Sequence, residues 1–311
     1  MDFNKIKKGF FISFIIGIIL LFILGVYSDY KKLVLVFKNF NYGYLPMILC
    51  LAPLNYFFRY IKWSYYLKSS HINVPSKDNV LIFLSGLAMT ISPGKVGEFL
   101  KSYVLKEKYN VPYSKSSPLI IGERFTDGIS VLILSFLGGL YFKDQLFLLF
   151  VILLLVIGFI YIIGNKKIIY GILKKIHNIK YIRKHEVAFI NFYENIYTIL
   201  KGRILLVSIL IGLVSWFFEG VVIYFTIKAL GGYISIWASV FIVSFSFILG
   251  ALSMIPGGLV AVEGSLIGFL VFIGINKDLA VATTIISRFS TLWLGVSIGI
   301  VSLLMLYKNR D

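Results

Sequence analysis

The chain has 311 residues, of which 59% are hydrophobic and only 14% charged, and its mean hydropathy is +0.89. A soluble domain carries about 25% charged residues, and a core of this chain length does not take in so much apolar surface. Composition therefore excludes a soluble globular protein and points to an all-α, polytopic helical membrane protein. The net charge of +17 is mostly Lys, gathered in a few loops beside apolar runs rich in Phe and Tyr, which argues against a nucleic-acid-binding face. The single cysteine, Cys50, has no internal disulfide partner, and His71, His177 and His185 show no metal-ligand spacing. No cofactor or metal is expected.

In chain order, six full spans are predicted, at about 9–27, 44–67, 117–141, 145–164, 203–229 and 278–307. The first follows a basic start but has no small-residue cleavage site behind it, so it reads as an uncleaved span and not a secretion signal. "KKLVLVFKNF" (Lys31–Phe40) reads as a helix on the outer surface. Two further apolar stretches, 79–105 and 234–275, are each broken by Pro-Gly near the middle and read as re-entrant hairpins. Lysines before span one, after span two (Lys62, Lys68, Lys77), before span three (Lys101, Lys106, Lys108, Lys115) and between spans four and five then fall on one side. By the positive-inside rule both termini face the cytoplasm of a cell membrane. The segment from about 165 to 203 puts Ile168, Ile169, Ile172, Leu173 and Ile176 on one helical face and Lys166, Lys167, Lys174 and Lys175 elsewhere. It reads either as a basic loop that only sets topology or as an amphipathic helix on an anionic leaflet.

The two hairpins resemble each other. "FLSGLAMTISPGKVGEF" (Phe83–Phe99) and "FILGALSMIPGGLVAVEGSL" (Phe247–Leu266) each run Gly, then Pro-Gly, then Glu. Downstream, "ERFTDGISVLILSFLGGL" (Glu123–Leu140) matches "SRFSTLWLGVSIGIVSLL" (Ser287–Leu304). Pro93 precedes Arg124 by 31 positions, and Pro256 precedes Arg288 by 32. The hairpins dip from opposite sides, so the single membrane domain divides into repeat unit one (about 44–141) and an inverted unit two (about 203–307). Inverted repeats with broken helices at the midplane are a transporter architecture, and the breaks point to the site. Backbone freed at Pro93–Gly94 and at Pro256–Gly257–Gly258 must be buried in protein or line a wet cavity. The first amides of each returning half-helix suit an anion such as a phosphate headgroup.

Ionisable residues at membrane depth cost roughly 2.5–3.5 kcal/mol each and usually face a cavity or a partner. The candidates are Lys95, Glu98, Glu123, Arg124, Asp127, Glu219, Glu263 and Arg288. Glu123 and Asp127 share a helix face. Repeat symmetry predicts two ion pairs, Glu98 with Arg124 and Glu263 with Arg288, which either pin the hairpins or serve transport. Glu219 has no evident partner in the sequence and reads as a proton acceptor. The two arginines suit phosphate geometry.

With "SPGKVGEFLKSYVL" (Ser92–Leu105), "GERFTDG" (Gly122–Gly128), "IPGGLVAVEG" (Ile255–Gly264) and "SRFSTLWLG" (Ser287–Gly295), the chain resembles the flippase-like membrane family that includes the transmembrane region of lysylphosphatidylglycerol synthases. The resemblance covers about 10–307. It implies a lipid translocase in the cytoplasmic membrane, acting on lipids with charged or phosphate-bearing headgroups, including glycolipid or polyprenyl-phosphate carriers. The soluble aminoacyltransferase domain of the synthases is expected to be absent, so the chain is expected to be a transporter and not an enzyme, with a separate lipid- or glycan-synthesising enzyme as its partner. The alternatives are an ion or small-solute transporter on the same repeats, an intramembrane enzyme using Glu123 and Asp127, and a membrane scaffold for a lipid-modifying enzyme.

Overall fold

The computed structural model describes residues 15, 19, 30–139, 146–176, 186–255 and 258–308. Apart from positions 15 and 19, the first predicted span lies outside the described residues. The rest is helical, with no strand among the described residues. Helix α1 (Tyr30–Lys38) is amphipathic and lies where the outer-surface helix was predicted. It turns through 68° into α2 (Leu45–Ser69) by way of a short 3₁₀ turn. The corner is held by the Asn41 amide, which donates to the Ala229 carbonyl at 2.8 Å.

The first broken stretch forms α3 (Ser76–Leu87), a 3₁₀ segment (Pro93–Phe99) and α4 (Leu100–Tyr109). Asn110 ends α4 in the left-handed region, as a residue at this position commonly does. The long α5 (Tyr113–Gly138) follows. Helix α6 (Leu146–Gly164) is apolar all round, and only 6% of its Phe147–Gly164 stretch is buried in the protein, as expected of a helix surrounded by lipid. Among the described residues the basic segment forms α7 (Lys166–Ile176), where the amphipathic face was read, and α8 (Glu186–Ile199).

Unit two comprises α9 (Gly202–Ala229), α10 (Ile236–Leu252), α11 (Ala261–Phe272), α12 (Lys277–Arg288) and α13 (Leu294–Lys308). A π-helical turn, Phe289–Trp293, joins the last two into one apolar rod. Ser235 caps α10 and Asn276 caps α12, each accepting a backbone N–H at the helix start. Helix lengths bear on the broken stretches. At 1.5 Å per residue, the 12 residues of α3, 10 of α4, 17 of α10 and 12 of α11 give helices of about 15–25 Å. Each is shorter than the roughly 30 Å apolar thickness of a bilayer.

The two units pack reciprocally. The opening helices α2 and α9 pack on each other, the first hairpin arm α3 packs on the closing rod at α13, and the equivalent arm α10 packs on the closing helix α5. Glycine sets both arm crossings. A Cβ at Gly299 would lie 2.2 Å from the Ala88 backbone nitrogen, and one at Gly138 would lie 2.6 Å from the Trp237 carbonyl oxygen. Without a Cβ, two membrane helices approach backbone to backbone and gain dispersion contact. Buried hydroxyls on α5 are satisfied within the helix: Thr126, Ser130 and Ser135 donate to the carbonyls of Gly122, Thr126 and Val131.

Candidate functional cavity and ion-pair network

Helix α2 carries Asn55, Arg59, Lys62 and Tyr66 on one buried face, at spacings of four, three and four residues. That face meets α5, where Glu123 and Asp127 stand one turn apart and are both buried. Lys101 reaches the same place from α4. Its stem passes Gly86 on α3, where an added Cβ would lie 3.0 Å from Lys101 Cδ. The Gly that opens the first hairpin motif thus makes room for a side chain of the returning arm. Its counterpart Gly250 does the same for Val262, 2.3 Å from where a Cβ would stand.

Lys101 Nζ donates to Glu123 Oε2 at 2.5 Å and sits 4.3 Å from the centre of the Trp63 ring. Trp63 is itself held by an indole N–H to Asn79 Oδ1 at 3.0 Å. Arg124 Nη2 donates to Glu123 Oε1 at 2.7 Å, and Arg59 Nη2 lies 3.6 Å from the same oxygen. Arg124 also pairs with Asp127 at 3.0 Å and with Glu98 at 3.3 Å. Lys62 donates to the other Asp127 oxygen. Four cations and three carboxylates therefore form one network. Unit two holds the corresponding pair: Arg288 Nε donates to Glu263 Oε1 at 2.6 Å, and both residues are buried.

Both ion pairs predicted from the repeat are formed. Lys62 and Lys101 correct the topology reading, which counted them among loop lysines: they are 0% and 2% exposed. Glu219 is a second correction. It is half-buried on α9 and interacts with its neighbours, so it is not the unpartnered carboxylate the sequence suggested. Arg59, Lys62 and Lys101 were missed as network members, although the polar face Asn55–Arg59–Lys62–Tyr66 is visible as a helical spacing in the sequence. The hairpin tips also differ from expectation. Ser92 Oγ accepts the Gly97 amide at 2.7 Å, so one tip amide is already bonded. At the second tip Glu263 stands in the first turn of α11, where its own charge meets the positive end of the helix. Pro93 and Gly94 open the 3₁₀ segment. The Lys95 side chain, and Pro256 and Gly257 entirely, lie outside what the structure describes.

A cavity of ≈ 240 Å³ brings the two units together. Arg124 and Asp127 line it from unit one, and Arg288, Phe247 and Gly258 from unit two. Arg124 Nη1 is buried and has no hydrogen-bond partner among the described residues. The Arg288 guanidinium lies 5.9 Å from the centre of the Phe247 ring. Met254 and Ile255 also line the cavity and are 74% and 38% exposed, so the cavity wall continues onto an apolar outer surface. The loop there is strained: Met254 and the β-branched Val260 both hold positive φ, at 55° and 73°.

Behind Arg288, the π-helical turn displaces a backbone carbonyl from its ordinary helical partner. The Thr291 carbonyl is taken up by the Tyr56 hydroxyl, which reaches across from α2 beside Gly295. The turn is thereby fixed by unit one.

Apolar helices, internally satisfied hydroxyls, glycine crossings and a buried ionic network define an integral, multi-pass membrane protein. Residues 10–299 match the family described as the lysylphosphatidylglycerol synthase TM region, and the chain belongs to that family. Among its relatives is a UPF0104 membrane protein of Methanocaldococcus jannaschii, 26% identical over 71% of this chain and 94% of the relative. Another is a UPF0104 membrane protein of Pyrococcus horikoshii, 22% identical over 96% of this chain and 97% of the relative. A third, from Methanothermobacter thermautotrophicus, is 22% identical over 78% of this chain and 79% of the relative.

Proposed function

We propose that the protein moves a lipid with a phosphate-bearing headgroup across the cytoplasmic membrane, with both of its termini in the cytoplasm. The observation that carries this reading is the cavity between the units, lined by one arginine from each and continuous with exposed apolar Met254 and Ile255. Guanidinium groups suit phosphate oxygens, and Arg124 offers a buried N–H that nothing among the described residues accepts. At ≈ 240 Å³ the cavity is smaller than the roughly 300–1,000 Å³ of drug-sized sites, which suits a phosphate with its nearest substituents. The lipid tails remain in the bilayer beside the exposed rim.

An ion or small-solute transporter on the same repeats would need a cavity sealed from lipid, and the apolar rim favours the lipid reading. The family description supports a lipid-related role. In this reading the protein is a transporter that binds its lipid without chemical change, and a separate enzyme makes that lipid. The hairpins enter from opposite sides as an inverted repeat, and the reciprocal packing of α3 on α13 and α10 on α5 supports this arrangement. The charge swap Glu263→Arg with Arg288→Glu tests what the second pair does. If the pair only pins hairpin two, the swap restores both fold and translocation. If Arg288 binds the headgroup from its own position, the swap restores fold alone.

A further inference from the structure

The helices α3 and α13 touch backbone to backbone at Ala88 and Gly299. Toward their other ends they leave a groove of ≈ 460 Å³, lined by Lys77, Val80 and Leu81 of α3 and by Met305 and Lys308 of α13. From the contact to the lysines is about 11 residues along α3 and 9 along α13, or about 14–16 Å of helix. This is about half the roughly 30 Å apolar thickness of a bilayer, the depth of one leaflet. The floor is apolar, with Val80 and Met305 37% and 51% exposed. The two lysines stand at the open end, both exposed, and neither forms an ion pair among the described residues. The neighbouring carboxylate, Asp78, is already taken by Lys108 at 2.6 Å and by the Tyr109 hydroxyl.

We propose that this groove binds one anionic phospholipid of the surrounding leaflet, separately from the cavity between the units. Its phosphate lies between the Lys77 and Lys308 ammonium groups, and one acyl chain runs down Val80, Leu81 and Met305 toward the Ala88–Gly299 contact. Three features select a membrane lipid over a soluble anion or a peptide: a charged end of one sign, an apolar floor, and a depth that matches one leaflet. Seated there, the lipid ties the first arm of hairpin one to the last helix of unit two and strengthens one of the two reciprocal packings. The site does not depend on what the central cavity transports.

The test uses the full chain in detergent, with native mass spectrometry and a binding titration of phosphatidylglycerol against phosphatidylcholine of the same chains. Wild type is expected to retain phosphatidylglycerol preferentially. Lys77→Gln with Lys308→Gln is expected to weaken it about fivefold per lysine removed. Removing two other exposed lysines, Lys38→Gln with Lys68→Gln, should leave the titration unchanged. Val80→Trp keeps both charges and fills the groove, and should weaken binding as well. Equal weakening by both lysine pairs would reduce the effect to net charge and overturn the site. Unchanged binding in Val80→Trp, or full competition by inorganic phosphate, would show an anion site without a seated chain and also overturn it. All variants carry exposed substitutions, and unchanged elution confirms that they fold.

Discussion

Neutralising Glu123 is the sharpest perturbation of the ionic network. Its carboxylate is 0% exposed and receives Lys101 at 2.5 Å and Arg124 at 2.7 Å, with Arg59 at 3.6 Å. Glu123→Gln keeps the shape but leaves buried Arg59, Lys62 and Lys101 and part-buried Arg124 facing only Glu98 and Asp127. Removing one member of a buried pair costs about 3–5 kcal/mol, because its partner stays buried without compensation. For a chain of this size, that corresponds to a fall in Tm on the order of 10 °C. The assay is detergent-solubilised protein heated in steps, with the folded fraction read by size-exclusion chromatography. Adding Lys101→Met to Glu123→Gln removes one charge of each sign and restores the balance of the network, so the double variant should recover at least half of the loss. A Glu123→Gln variant as stable as wild type would refute the reasoning, as would a double variant less stable than either single one.

Tyr56→Phe strips the donor from the Thr291 carbonyl behind Arg288; a buried acceptor left bare costs about 1–3 kcal/mol, and melting of the variant reads this directly. Gly299→Ala and Gly138→Ala should sharply lower the yield of folded protein, since their Cβ atoms would meet backbone at 2.2 Å and 2.6 Å. Gly158→Ala, with nothing within 4 Å, should be neutral or slightly stabilising in the same expression assay. At the basic segment, Lys166 and Tyr170 both donate to Glu194, at 2.6–2.8 Å. These hydrogen bonds hold the Glu194 carboxyl below its ordinary value and raise that of Lys166. A depressed carboxyl stabilises its contact above the unfolded value of about 4.3 and loses it as pH falls through the folded value. A raised lysine loses its contribution only as pH rises through its own, above about 10. Protection of the α7 and α8 amides, measured against the unprotected exchange rate at each pH, should therefore be high at neutral pH and fall in acid. Glu194→Gln should remove that acid step, and a step that persists in the variant would contradict this account.

The repeat made the two ion pairs legible. Gly, Pro-Gly, Glu and Arg recur in one order, and a buried glutamate at a hairpin break needs a cation from the closing helix. Lys62 and Lys101 were read wrongly for a physical reason. The positive-inside rule treats each lysine near a span as a loop charge, yet a lysine inside a helix, as Lys62 is, or at a helix start, as Lys101 is, is buried readily when a carboxylate faces it. The helical spacing of Asn55, Arg59, Lys62 and Tyr66 was the available signal. Lys101 had none in its own helix, because its place is set by Gly86 on the opposite arm. The π-helical turn at Phe289–Trp293 depends on a tertiary neighbour, Tyr56, and leaves no local pattern. The cavity is also a product of assembly, since its two arginines are 164 positions apart.

The central claim is lipid translocation at the cavity. Purified protein in liposomes with a fluorescent phosphate-bearing lipid, followed by the fraction that becomes accessible in the opposite leaflet, tests it most directly. Wild type should move the lipid, and Arg288→Ala and Glu263→Gln should each lose that movement while remaining folded. No movement by folded wild type with any of several anionic lipids, or full movement in both variants, would contradict the account.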